Sequence, residues 1–128
     1  MHLGYHLSKS VGSANLADDL EISHKKHKFT AVQIFTHGPR NTIENKINHD
    51  KFKNYCKEND ITVLVHSSYL TDTWTTKIQE KKKHIIDQIA AAEKVGAYGL
   101  VLHILGAPPE QIVANMKILQ PHFEKAKV

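Results

Sequence analysis

The chain has 128 residues, with 41% hydrophobic and 23% charged side chains, a formal charge of +4 and a sequence pI near 9.1. That is enough for one domain with a single core; no apolar run approaches membrane-spanning length and the N-terminus lacks a signal-like apolar segment, so a membrane partner is not expected. A mild positive field is compatible with a nucleic-acid partner without requiring one. The one cysteine, Cys56, has no partner for an internal disulfide. This fits a reducing intracellular compartment and leaves cytoplasm, nucleus and virion open.

The first strand is expected over residues 2–7, where Leu3, Tyr5 and Leu7 alternate with Gly4 and His6. Ser13 then reads as a helix N-cap, and Leu16, Ala17 and Leu20 give helical spacing to about Ser23. Residues 24–28, all His or Lys, read as a basic solvated turn. A second strand is expected over 30–35, followed by a Gly38-Pro39 loop signal. A helix over 50–58 should place Phe52, Tyr55 and Cys56 on one face, which makes Cys56 a core residue and not a nucleophile.

Residues 61–65 form a third strand, apolar on both faces as in a covered parallel sheet. Ile78, Ile85, Ile89 and Ala92 mark the third helix, whose polar face carries Lys81, Lys82 and Lys83, with Gly96 at the C-cap. The fourth strand is expected over 99–103. Pro108 and Pro109 open a last helix with an apolar stripe of Ile112, Met116, Leu119 and Phe123. No linker splits these four units, so residues 1–128 read as a single domain.

The strand ends at His6, Phe35, His66 and His103 lie 29, 31 and 37 residues apart, the repeat of a strand followed by a helix. In such folds the carboxyl ends of parallel strands share one face, where chemistry is placed. A closed barrel of this kind has eight units. Four units therefore predict an α/β fold that is half of a TIM-type (β/α)8 barrel, with two bare strand edges that invite a second half-barrel chain or a homodimer. His66 and His103, at successive strand ends, predict two imidazoles side by side. Two imidazoles do not complete a zinc site, which takes at least three protein ligands when catalytic. Tyr69 beside them could stack on a base or sugar, and Arg40 in its exposed turn could contact phosphate.

Several motifs carry a resemblance. Gly4-Tyr5-His6-Leu7-Ser8, Gln33-Ile34-Phe35-Thr36 with Pro39-Arg40, His66-Ser67-Ser68-Tyr69-Leu70 and Gly99-Leu100-Val101-Leu102-His103 stand in the order found in endonuclease IV-type apurinic/apyrimidinic endonucleases. The helix end Ala91-Ala92-Glu93-Lys94-Val95-Gly96-Ala97 is similar too, and the wording of the last strand and helix resembles the forms carried by large DNA viruses. The resemblance implies the N-terminal half of a zinc enzyme that repairs DNA by hydrolysing the phosphodiester 5′ to an abasic site. It implies zinc ligation by His66 and His103, and DNA contacts from Arg40, Tyr69, Leu70 and His6. It also implies that further carboxylate and histidine ligands lie in a second half, so that a three-zinc cluster does not assemble on these four units alone. One departure is Ile104-Leu105, which lengthens the turn between His103 and Gly106. The alternative from a different class is a non-catalytic DNA-binding remnant of the same fold. A sugar-isomerase-like barrel fragment fits less well, because of the Pro39-Arg40 loop and the spacing of His66, Tyr69 and Leu70.

Overall fold

The computed structural model describes residues 3–8, 15–71, 74 and 78–128. Among these residues four strands and four α-helices alternate: β1 (Gly4–His6), α1 (Leu16–His27), β2 (Ala31–Ile34), α2 (His49–Glu58), β3 (Thr62–His66), α3 (Ile78–Lys94), β4 (Gly99–Val101) and α4 (Pro109–Ala126). All three strand pairings are parallel and the sheet order is β1-β2-β3-β4. Each strand lies beside its predecessor with no reversal of direction along the sheet. That is the winding of a barrel and not of a doubly wound open sheet.

Parallel register fixes which side chains share a face, because successive residues alternate across the sheet. Val32, Ile34, Val63 and Val65 point to the helices and are buried with Leu16, Leu20, Phe52, Cys56, Ala92 and Val95. A second apolar cluster joins α3, β4 and α4 through Trp74, Ile78, Ile85, Ile89 and Leu119. The opposite face is layered differently. His6, Gln33, Leu64 and Gly99 are in register in one layer, and Phe35, His66 and Val101 form the next. These side chains are half-buried or exposed.

Three local expectations are corrected. Residues 24–27 are the last turn of α1 and not a loop. The cations sit where the negative end of the helix dipole favours them, Lys25 pairs with Glu21 at 3.0 Å, and Lys28 closes the helix in the left-handed region at φ 53°. The N-cap of α1 is Asn15, whose side chain accepts from the Ala17 amide; Ser13 lies outside the described residues. The α4 stripe is only partly covered: Leu119 is buried, Ile112 and Phe123 are half-buried and Met116 is exposed. Pro121 sits inside α4, on its exposed side, where loss of one N–H costs least. Gly96, at φ 71°, ends α3 as the C-cap reading requires.

Candidate metal and DNA-binding site

His66 is the last residue of β3; the fourth strand ends at Val101 and not at the expected residue 103, so His103 lies two residues beyond β4. Neighbouring parallel strands carry both rings to the same rim, and their Nε2 atoms stand 2.9 Å apart with ring centroids at 4.5 Å. His66 is half-buried and His103 is exposed, so His103 is not the buried histidine that its apolar strand suggests. His66 Nδ1 lies 2.7 Å from the Ser67 carbonyl oxygen. A carbonyl only accepts, so Nδ1 carries the proton and His66 Nε2 is the acceptor of the 2.9 Å contact, donated by His103 Nε2. An imidazole fixed by a backbone carbonyl at one nitrogen is the arrangement of metal-ligating histidines.

Rings continue along the rim from this pair. Phe35 packs 4.8 Å from His66 and 5.7 Å from Tyr69, and His6 meets Phe35 edge-on at 5.6 Å. Tyr69 lies 5.8 Å from His66. Tyr69 and Leu70 are 47% and 45% exposed, so both offer apolar surface to a ligand at the mouth. A cleft of about 290 Å³ opens beside His6, lined also by Leu7, Phe35, Pro39 and Asn45.

Arg40 is exposed in the β2–α2 loop. That loop is shaped by Gly38, where a Cβ would collide with the Asn41 side chain, and by an isolated antiparallel bridge between His37 and Glu44. The Asn45 side-chain Nδ2 donates to the Phe35 carbonyl at 2.8 Å and closes the base of the loop. The structure thus brings His6, His66, His103, Tyr69 and Leu70 to one rim, with Arg40 on the loop next to them.

Phe35, Asn45, Ser68 and Gln88 also build this rim. Phe35 could have been named from its place at a strand end, in phase with His66. Gln88 could not, because one amide on an apolar helix stripe carries no address for its partner. The extra Ile104-Leu105 pair has a structural use. Ile104 packs into the α3–α4 cluster, and the Leu105 carbonyl accepts from the Trp74 amide at 2.9 Å.

A metal needs more donors than this pair supplies. Among the described residues, no group of three or more His, Cys, Asp or Glu could hold an ion. The two Nε2 atoms, hydrogen-bonded to each other at 2.9 Å, offer two donors, and a catalytic zinc site takes at least three from protein.

Four parallel β/α units wound in sequence order define half of a TIM-type barrel, and comparison with solved folds bears this out. Endonuclease IV from Thermus thermophilus superposes with a TM-score of 0.73 over 99% of this chain and 47% of its own, at 18% identity. A xylose isomerase domain-containing protein from Salmonella typhimurium gives 0.73 at 19% identity, over 98% of this chain and 46% of its own. The structure of AsfvAP:AG gives 0.72 at 21%, over 91% of this chain and 42% of its own. In sequence, probable AP endonucleases of African swine fever virus are 30% identical over 95 residues (isolate Pig/Kenya/KEN-50/1950) and 32% identical over 96 residues (isolate Tick/South Africa/Pretoriuskop Pr4/1996). Each alignment takes in 73% of this chain, and the chain spans about a third of these relatives' length, 32%. No family model matches the chain. The resemblance to endonuclease IV-type apurinic/apyrimidinic endonucleases therefore holds, in sequence toward the viral proteins and in fold toward the xylose isomerase-like barrels. No helix among the described residues is long and apolar enough to cross a membrane.

Proposed function

We propose that this chain is the N-terminal half-barrel of a DNA-repair endonuclease that acts at abasic sites. In this reading His66 and His103 supply two ligands to a zinc ion at the barrel mouth, and His6, Arg40, Tyr69 and Leu70 hold the damaged duplex. The observation that carries it is the 2.9 Å approach of two Nε2 atoms on neighbouring strand ends, one of them oriented by a carbonyl. Zinc held there by His66, His103 and further ligands would supply Lewis-acid polarisation of a phosphodiester and a nucleophile from water at neutral pH. The chain's own residues do the positioning. The Arg40 guanidinium pairs with phosphate oxygens, which fixes register without reading sequence. Tyr69 and Leu70 fill the gap left by a missing base, where stacking is gained without the cost of displacing a paired one. Cleavage needs the remaining ligands, from further sequence or from a second half-barrel chain that also covers the open face of the sheet.

Zinc binding by calorimetry tests the reading. One ion per half-barrel is expected to bind weakly, and His66→Ala or His103→Ala should each lower affinity by about tenfold or more. Zinc uptake that both variants leave unchanged would sink the metal assignment. A second reading, a DNA-binding remnant without metal, draws on the lack of a third donor among the described residues. It expects salt-sensitive duplex binding that chelators leave intact.

A further inference from the structure

The carbonyl of Pro39, in the loop that presents Arg40, accepts two hydrogen bonds from the loop that presents Tyr69 and Leu70. One comes from the Tyr69 amide at 2.8 Å and the other from the Ser68 hydroxyl at 3.1 Å. Ser68 is itself held at every polar atom. Its amide donates to Gln88 Oε1 at 2.7 Å, and its carbonyl accepts from the Thr71 amide at 3.0 Å and the Thr71 hydroxyl at 2.7 Å. Its hydroxyl oxygen also lies 3.3 Å from the Leu70 amide.

Gln88 is fully buried on α3 between Ile85 and Ile89, and its Nε2 donates to the His84 carbonyl at 3.2 Å. Packing alone would favour an apolar side chain there, since a buried amide is costly unless both of its ends are paired. Its loop-side end is paired with Ser68. The anchoring runs on to the fourth unit: Trp74 Nε1 donates to the Thr71 carbonyl at 2.8 Å, and the buried Asn115 of α4 reaches the Trp74 carbonyl.

We infer that Ser68, seated by Gln88, is a clasp that makes the Arg40 loop and the Tyr69–Leu70 loop one rigid unit, and so sets the spacing at which a DNA duplex with a missing base is probed. This rests on the proposed reading for the nature of the ligand. The mechanical coupling rests on the hydrogen bonds alone. A phosphate contact on one loop and a stacking contact on the other discriminate a lesion only if their separation is fixed before binding; otherwise ordering the loops consumes the gain. Ser68 and Gln88 are positioning residues, acting through Pro39 and Tyr69.

The test uses the full chain with Ser68→Ala, Gln88→Met and Gln88→Glu, each checked by circular dichroism. Gln88→Met keeps the side chain's length and removes the acceptor. Gln88→Glu, its fully buried carboxyl held protonated, keeps an acceptor for the Ser68 amide and an O–H donor for the His84 carbonyl. Ser68→Ala is the milder change, should Gln88→Met fail to fold. Amide hydrogen exchange without DNA is expected to quicken about tenfold in residues 38–43 and 67–71 together in Ser68→Ala and Gln88→Met, and to recover in Gln88→Glu. Exchange that quickens in 67–71 while 38–43 stays unchanged would overturn the clasp. Binding is then read with two duplexes, one intact and one carrying a single abasic analogue. The preference for the abasic duplex should fall about fivefold in both disrupting variants. Full preference retained in both variants also overturns the clasp. A wild-type chain with no preference, whose two loops still loosen together, supports the clasp and refutes the abasic-site reading.

Discussion

The two faces of the sheet are made of the same four strands and have opposite fates. Toward the helices, Val32, Ile34, Val63 and Val65 are sealed under α1, α2 and α3 in a dry cluster. Toward the barrel axis, His6, Gln33, Leu64, His66 and Val101 are half-buried or exposed, although register and alternation are as regular there. Helices complete the first face within this chain. The second would be covered only by more strands. Stability therefore resides on the helix side, and the side chains suited to ligands lie on the face and rim that the core leaves open.

This contrast can be broken most directly from the helix side. Phe52 is fully buried between α2 and the sheet, and Phe52→Ala should cost about 3–5 kcal/mol, read from urea unfolding of the chain. So large a loss is a sizeable part of any small domain's stability and could unfold it outright. A loss below about 1 kcal/mol would mean that the helix-side core is loosely packed.

A finer comparison lies within one strand. Val65 is fully buried on the helix side, whereas its neighbour Leu64 is half-buried on the axial side. Val65→Ala should cost about 2 kcal/mol, and Leu64→Ala less than about 1 kcal/mol although it removes more atoms. Equal costs in dilute solution would show that something already covers the axial face, self-association first among the candidates. Sedimentation of the same samples would then identify it.

How much of this was legible in sequence follows from the same division. The third strand was easy because Ile61 to Val65 is apolar on both faces, and the pairing of His66 with His103 followed from two strand ends in phase. Helix α3 announced itself by spacing. The end of α1 was missed because His and Lys have no loop-specific chemistry; a run of cations at a helix C-terminus looks the same in sequence as one in a turn. That the axial face is poorly covered followed from the count of four units and not from Leu64 or Val101, since an apolar residue carries no mark of what will cover it. The Ser68–Gln88 contact joins residues 20 apart through one hydrogen bond that no periodicity encodes. The roles proposed for Arg40, Tyr69 and Leu70 come from motif likeness, and all three side chains are exposed.

The boundary between the two regions carries its own test. His37, buried in the β2–α2 loop, meets His84 of α3 edge-on with ring centroids 5.4 Å apart. His37 Nδ1 lies 3.1 Å from the Thr36 hydroxyl, and His84 Nε2 is buried with no hydrogen-bond partner among the described residues. Burial first, and then the neighbouring His84, push the His37 imidazole below its ordinary value of 6.5, against the opposing pull of Glu44 and Asp87. Burial likewise lowers His84, with Lys83 adding to it and Asp87 opposing. Both rings are then neutral in the fold under conditions where the unfolded chain takes up protons. The unfolded state binds more protons across the window between the lowered values and 6.5, so stability rises with pH there. Unfolding midpoints in urea should be level from about pH 8 to pH 7 and fall as pH drops below the ordinary histidine range. His84→Leu removes one titrating ring and a buried unpaired nitrogen, and should flatten that slope. The Glu21 carboxyl, held below 4.5 chiefly by its hydrogen bond to Lys25, titrates at lower pH and does not confuse the reading. A midpoint that rises on acidification would mean that the two rings are charged in the fold, and that the loop carrying Arg40 is held to α3 by something other than a neutral contact.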